Sequence, residues 1–140
     1  MLTLAIIKPD AVSRAKMGAV LAHLEQNGFV IRAARLMRLT RPEAEAFYAV
    51  HRERPFFKSL VAFMTSGPCL PLVLEREQAV SRLREVIGAT DPAEAAPGTV
   101  RKLYAESKER NAIHASDSAE NAQREIGFFF PDAELEGLWG

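Results

Sequence analysis

Apolar residues first gather in a continuous run, Thr3-Leu4-Ala5-Ile6-Ile7, stopped by Lys8-Pro9-Asp10. Unbroken hydrophobicity in a short β-rich run predicts a central strand covered on both faces. Val20, Leu21 and Leu24 then recur at helical spacing and Asn27-Gly28 supplies a stop, so a helix is expected over Gly18 to Gln26. Phe29-Val30-Ile31 resumes a β pattern, with Arg and apolar positions alternating to Leu39. Thr40-Arg41-Pro42-Glu43 is a helix start with proline in the first turn. Two helical patterns follow, Glu43 to His51 and Phe56 to Met64, separated by the Arg54-Pro55 step, which predicts a helical hairpin. A strand is expected from Cys69 to Leu74 after Gly67-Pro68, and a helix from Glu77 to Ile87 with a stop at Gly88.

Periodicity weakens from Ala89 to Asn111, where Thr90-Asp91-Pro92 and Ala96-Pro97-Gly98-Thr99 mark turns around at most one short helical stretch. Loops of this length are usually functional or disordered. Ala112-Ile113-His114 reads as a short fourth strand, and a capping-box-like Asp117-Ser118-Ala119-Glu120 opens a last helix running to about Phe129. Alternating strands and helices predict an α/β (α+β) sandwich. A ferredoxin-like βαββαβ core fits best: a four-stranded antiparallel sheet covered by helices, with an inserted helical hairpin and a long loop before His114.

The chain has 140 residues, long enough to bury roughly two-thirds of its unfolded surface in one core, so a single domain over 1–140 is expected. Lys plus Arg number 18, as do Asp plus Glu, so no net field draws the molecule to nucleic acid or an anionic membrane. Any anionic ligand therefore needs locally clustered cations. Apolar runs such as Leu2 to Ile7 and Phe128 to Phe130 fall far short of the roughly 20 residues a membrane helix needs. No basic lead or small-residue cleavage site marks a signal peptide, so a cytoplasmic setting is expected. The single cysteine, Cys69, excludes an intramolecular disulfide and reads as a small buried apolar residue.

Three ingredients of chemistry stand out. Of the histidines, only His114 lies between a turn-rich loop and a helix start. A neutral imidazole accepts a phosphoryl group when its other nitrogen is held by an acceptor, and Glu125 in the following helix is a candidate for that role. Local sequence alone favours the plainer reading, in which His114 packs or caps the helix entrance. The second ingredient is cationic: Lys8 ends the first strand, Arg84 lies late in the helix 77–87, and Arg101 sits in the long loop. Each suits a polyphosphate, as each suits a solvated surface. Thr90 and Asn111 are candidate hydrogen-bond partners for phosphate or sugar, or ordinary turn residues. Neither a Walker A loop nor a dinucleotide glycine fingerprint is present, so side chains would have to bind phosphate. The third ingredient is aromatic: Phe56 and Phe57 open a helix at the hairpin, where a ring exposed at the hinge would let a base stack, although both rings equally suit the core; Tyr48, on the preceding helix, suits the same cleft or the core boundary.

Taken in order, Ile6-Ile7-Lys8-Pro9-Asp10, Phe47-Tyr48 through Arg54-Pro55-Phe56-Phe57, Met64 to Pro68, Gly88 to Pro92, Pro97 to Arg101 and Asn111 to Ser118 resemble the nucleoside diphosphate kinase family from about Leu2 to Phe130. The resemblance implies that His114 takes the γ-phosphoryl of a nucleoside triphosphate and hands it to a diphosphate in a ping-pong cycle. By the same likeness Lys8, Arg84, Thr90, Arg101 and Asn111 hold phosphates and sugar, Phe56 stacks on the base, and Tyr48 and Glu125 position the histidine. It also implies Mg2+ bridging phosphate oxygens without a protein cage, broad base tolerance, and a homo-oligomer, tetramer or hexamer.

Four features depart from the family pattern. Ala115 stands where glycine usually follows the histidine, restricting φ there. Lys102-Leu103 replaces a small residue and an aspartate, Glu75-Arg76-Glu77-Gln78 replaces a Leu-Glu-Gly-Glu-like turn, and Lys108 takes a position commonly aliphatic. Two rival readings are a protein phosphohistidine relay through His114 and a ferredoxin-like module that binds nucleotide without turnover.

Overall fold

In a computed structural model of the chain, residues 1–131 are described; the sequence-based domain span of 1–140 runs past them. Four strands, β1 (Leu2–Ile7), β2 (Val30–Ala34), β3 (Leu70–Glu75) and β4 (Ile113–Ala115), form one antiparallel sheet in the order β2-β3-β1-β4. The helices are α1 (Pro9–Ser13), α2 (Met17–Gln26), α3 (Arg41–Phe47), α4 (Phe57–Met64), α5 (Ala79–Ile87), α6 (Val100–Tyr104) and α7 (Ala119–Phe129). The expected α+β sandwich with a four-stranded antiparallel sheet is what the chain forms.

The run Leu4 to Ile7 is continuously apolar because β1 is central and both its faces are covered. Leu4 and Ile6 join Phe47, Val61, Met64, Val73, Ile126 and Phe129 in the core under α3, α4 and α7. Ala5 and Ile7 join Val20, Leu24, Leu72, Leu83, Ile87, Val100 and Ile113 in the opposite core, under α2, α5 and α6. Each fully buried Leu or Ile stabilises the fold by roughly 1.5–3 kcal/mol through transfer from water. The same pleat governs β4: Ile113 and Ala115 fall in the second core, so His114 between them points to the α3–α7 side.

Several boundaries differ from the sequence-based expectation, three of them for a clear local reason. Pro9 does not simply end β1; it occupies the first turn of the short helix α1, where its missing N–H costs nothing. The second strand stops at Ala34 rather than reaching Leu39. A register shift between Ile31 and Ala33 bends it, and Arg35 N–H donates to the Pro71 carbonyl at 3.1 Å, a bond that Pro71, lacking an N–H, cannot return. Only a single bridge, Met37 to Cys69, continues the pairing. The helix expected over Glu43 to His51 is α3, opened by a full Thr40–Glu43 capping box, followed by a separate 3-10 turn at Ala49–His51.

Gly88 ends α5 at φ +90 and ψ −180, a conformation essentially reserved for glycine. A Cβ there would lie 2.6 Å from Thr99 Oγ1, which itself caps α6 by accepting the Lys102 N–H. Gly88→Ala is therefore expected to destabilise the fold by about 1–3 kcal/mol in urea unfolding, even though it adds only a methyl group.

Candidate functional site

His114 is delivered to the α3–α7 side of the sheet by the pairing of Ile6 with His114 across β1 and β4. Its Nε2 lies 2.7 Å from Glu125 Oε1 on α7. That oxygen also accepts the Ser116 hydroxyl at 2.9 Å, and Ser116 is anchored to β1 through its N–H to the Leu4 carbonyl at 3.1 Å. α7 itself is oriented by Ser118, whose side chain accepts the Asn121 N–H at 3.1 Å. Burial holds the His114 pKa below its ordinary value. The Glu125 hydrogen bond and charge oppose that, while Lys8 and Arg101 reinforce it. The imidazole is thus neutral near pH 7, with the proton on the nitrogen facing the carboxylate. Nδ1 is left with its lone pair, as a nucleophile requires.

The aromatic walls fix the ring further. Phe47 meets it edge-on with centroids 5.5 Å apart, and Tyr48 stands perpendicular to it at 6.3 Å. The Tyr48 hydroxyl is buried without a hydrogen-bond partner among the described residues, and burial pushes its pKa well up. It remains an O–H donor rather than a phenolate.

Lys8, Tyr48, Phe56, Arg84, Thr90, Arg101, Asn111, His114 and Glu125 all line one cleft of about 660 Å³. The nine residues singled out from sequence therefore converge in space. Lys8 is only 7% exposed and donates from Nζ to Asn111 Oδ1 at 2.8 Å; Asn111 Nδ2 donates onward to the Thr90 carbonyl at 3.2 Å. Arg101, also 7% exposed, donates to the Ile113 carbonyl at 2.7 Å and the Gly88 carbonyl at 3.1 Å. Arg84 donates to the Ala115 carbonyl at 3.3 Å. Among the described residues none of these three cations forms an ion pair within 4 Å; all are held by neutral oxygens. Burial and the Arg101 charge lower the Lys8 pKa to about 8, and burial and the Arg84 charge lower that of Arg101 to about 10. Two buried cations pressing on one another at a cleft mark a candidate anion site.

The far end of the cleft is apolar. Phe56, 46% exposed, stands there with Val50 and Leu60, whereas Phe57 packs partly buried against the core. That division matches the sequence expectation of one free ring at the hairpin. The acidic side chains at the cleft are already engaged: Glu109 with Ser59 at 2.8 Å, Asp117 with Asn121 at 2.6 Å, and Glu125 with His114. No group of three or more metal-ligating side chains occurs among the described residues.

The departures have different weights. Ala115 lies within β4 with no left-handed φ, paired with Ala5, so the absent glycine imposes no strain there. The left-handed residue beside β4 is instead Ala112, at φ +72. Gln78 takes a left-handed φ of +50 at the start of α5, and Arg76 stacks over Phe29 at 5.3 Å. Lys102 and Leu103 are exposed on α6, whereas Lys108 lines the cleft. Sequence reading assigned no role to Ser116; its place two residues after His114, on the same face of an extended segment, was the available signal.

The family model described as nucleoside diphosphate kinase matches residues 2–135. The chain belongs to the nucleoside diphosphate kinase family. It is 58% identical to the nucleoside diphosphate kinase of Chlorobium luteolum over 133 residues, covering 95% of each chain. Against that of Salinibacter ruber it is 51% identical, covering 95% of this chain and 94% of the other. The solved nucleoside diphosphate kinase of Aquifex aeolicus superposes with a TM-score of 0.93 at 50% identity, covering 95% of this chain and 96% of that one. The Halobacterium salinarum enzyme, solved in complex with CDP, gives 0.91 at 39% identity, covering 96% of this chain and 90% of that one. As a nucleoside diphosphate kinase family member the chain is a phosphotransferase acting on nucleotides.

Because the Glu125 charge raises the His114 pKa, Glu125→Gln should lower it further. Imidazole titration followed by NMR is expected to place the wild-type midpoint below 6.5 and the variant's lower still.

Proposed function

We propose that this enzyme transfers the γ-phosphoryl of a nucleoside triphosphate, typically ATP, to a nucleoside diphosphate by a ping-pong mechanism through phospho-His114. The single observation that carries the proposal is the 2.7 Å contact of His114 Nε2 with the buried Glu125 carboxylate, which leaves Nδ1 as the free nucleophile. In the first half-reaction the Nδ1 lone pair attacks the γ-phosphorus as the bond to the β-phosphate oxygen breaks, and the diphosphate leaves carrying that electron pair. In the second, a terminal oxygen of the acceptor diphosphate attacks phospho-His114 and the N–P bond breaks. Glu125 stabilises the partial positive charge that gathers on the ring as Nδ1 bonds to phosphorus.

The remaining residues take roles that follow from their chemistry. Lys8 and Arg101 face the transferring group and neutralise its oxygens, with Arg84 beside them; Thr90 and Asn111 hydrogen-bond phosphate or sugar. Tyr48 positions the histidine through its ring, and Phe56 offers a stacking face that recognises no base edge, which supports broad base tolerance. Engaged carboxylates and surplus cations suit Mg2+ held through the nucleotide phosphates and water rather than by the protein. When bound, it neutralises phosphate charge. A cytoplasmic enzyme, a homo-oligomer of tetrameric or hexameric form, and one catalytic unit spanning 1–140 belong to the same reading. No helix among the described residues is long and apolar enough to cross a membrane.

Incubation with γ-labelled ATP should place acid-labile label on His114, and adding GDP should move it to GTP. No label at all would sink the proposal, and label that never reaches GDP would favour a protein relay. His114→Ala should lose transfer by at least about a thousandfold yet still bind ADP. The pH dependence of kcat/KM reports the free enzyme, in which Lys8 is charged only below its pKa of about 8. The rate should fall above pH 8, and Lys8→Gln should be slow and lack that limb; a limb surviving in the variant rules out Lys8 as its source.

A further inference from the structure

Asp10 lies behind the cleft, in the first turn of α1, with 2% exposure, and none of the steps above uses it. Its Oδ2 accepts the N–H of Ala112 at 3.1 Å. Ala112 is the middle of a γ-turn: its φ is +72 and the Ile113 N–H bonds back to the Asn111 carbonyl at 2.8 Å. This hand of γ-turn is rare and strained, and for a residue with a Cβ it persists only where surroundings over-determine it. The surroundings are two bonds: Asp10 takes the Ala112 N–H, and the Ala112 carbonyl accepts the Lys8 N–H at 2.8 Å.

The turn joins two parts of the site. Asn111, its first residue, carries the Oδ1 that receives Lys8 Nζ, and His114 follows two residues after Ala112. The turn's φ thus fixes how the Asn111 and His114 side chains stand relative to one another. We infer that Asp10 is the positioning residue of the phosphate end: its carboxylate clamps the strained Asn111–Ala112–Ile113 turn and sets a negative charge beside the Lys8 end of that turn.

The groups acting on Lys8 are few and opposed. Arg101 from α6 disfavours its charge, while Asp10 from α1 and Glu109 from the segment before β4 favour it, against burial. Glu109 is tied to Ser59 on α4. Asp10 itself faces Lys8 and Arg14, whose Nη2 lies 4.0 Å from Oδ2. Burial holds the Asp10 pKa above its ordinary value; the Ala112 and Ala11 N–H bonds and the Lys8 and Arg14 charges oppose that and favour its ionised form. Arg14 in turn binds Glu106 at 2.9 Å and the Tyr104 carbonyl, so the clamp is braced against the long loop. The inference rests on the phosphotransfer reading only for its effect on rate.

Two substitutions separate the clamp from the charge. Asp10→Asn keeps an acceptor for the Ala112 N–H and removes the charge; Asp10→Ala removes both. Measured by NMR on the unliganded protein, exchange of the Ala112 amide should be as slow in Asp10→Asn as in wild type and at least tenfold faster in Asp10→Ala. The Lys8 Cε titration should move to lower pH in Asp10→Asn. In turnover, Asp10→Ala should lose roughly 10- to 100-fold in kcat. Asp10→Asn should stay within about threefold at pH 7, with its alkaline limb shifted down. An unchanged Ala112 exchange rate in Asp10→Ala, or an unchanged Lys8 titration in Asp10→Asn, overturns the proposal. Should Asp10→Ala not fold, the Lys8 titration decides. Both NMR readings stand without turnover, so a wild-type protein that never labels His114 would overturn the phosphotransfer reading alone.

Discussion

The site depends on cations buried against neutral oxygens. Removing an ammonium or guanidinium from water costs several kcal/mol even after relaxation, and an ion pair with a carboxylate offsets it only where the geometry is excellent. Lys8 and Arg101 are instead held by an amide oxygen and two backbone carbonyls, while Arg84, exposed at the cleft, binds a third carbonyl. Such partners satisfy N–H groups without cancelling charge. The cleft therefore keeps a positive potential that a polyphosphate would relieve. That is why a chain with 18 basic and 18 acidic residues can present an anion site without any net charge.

Holding those cations requires carbonyls that strands and helices do not consume. The Gly88 carbonyl is free because α5 ends there in a glycine-only conformation; the Ile113 and Ala115 carbonyls come from β4, which lies at the sheet edge with β1 as its sole partner. Edge strands usually carry the liability of unpaired groups, and here two of them become ligands for guanidinium groups. The fold and the site thus share one set of backbone atoms, so changes at Gly88 or in the β4 register reach Arg101 directly.

Strong patterns in the sequence carried the architecture. The unbroken run Leu4 to Ile7 is central because nothing polar interrupts it, and the Thr40–Glu43 box starts a helix by local bonds alone. Boundaries set by partners were not legible: β2 ends at Ala34 because Pro71 sits across from Arg35, a fact about register rather than about either segment. The site residues were readable one by one only through family likeness, since a lone Lys8 or Arg101 in sequence is indistinguishable from a surface cation. Ala115 shows the limit from the other side. An alanine in place of glycine suggested backbone strain at 115, but the strain lies at Ala112, where the turn's geometry is set by Asp10 more than a hundred residues earlier.

The histidine is oriented by the same economy. One oxygen, Glu125 Oε1, accepts both the His114 ring N–H and the Ser116 hydroxyl, and Ser116 is bound through its backbone to Leu4 on the central strand. A carboxylate on a long side chain would otherwise sample several rotamers, and the imidazole would follow it. Tying Oε1 to β1 through Ser116 makes the ring's tautomer and plane properties of the sheet rather than of the side chain. On the proposed mechanism the reacting nitrogen would then need little reorganisation when a phosphoryl group arrives, which is the part of a group-transfer barrier that a rigid scaffold can lower before substrate binds.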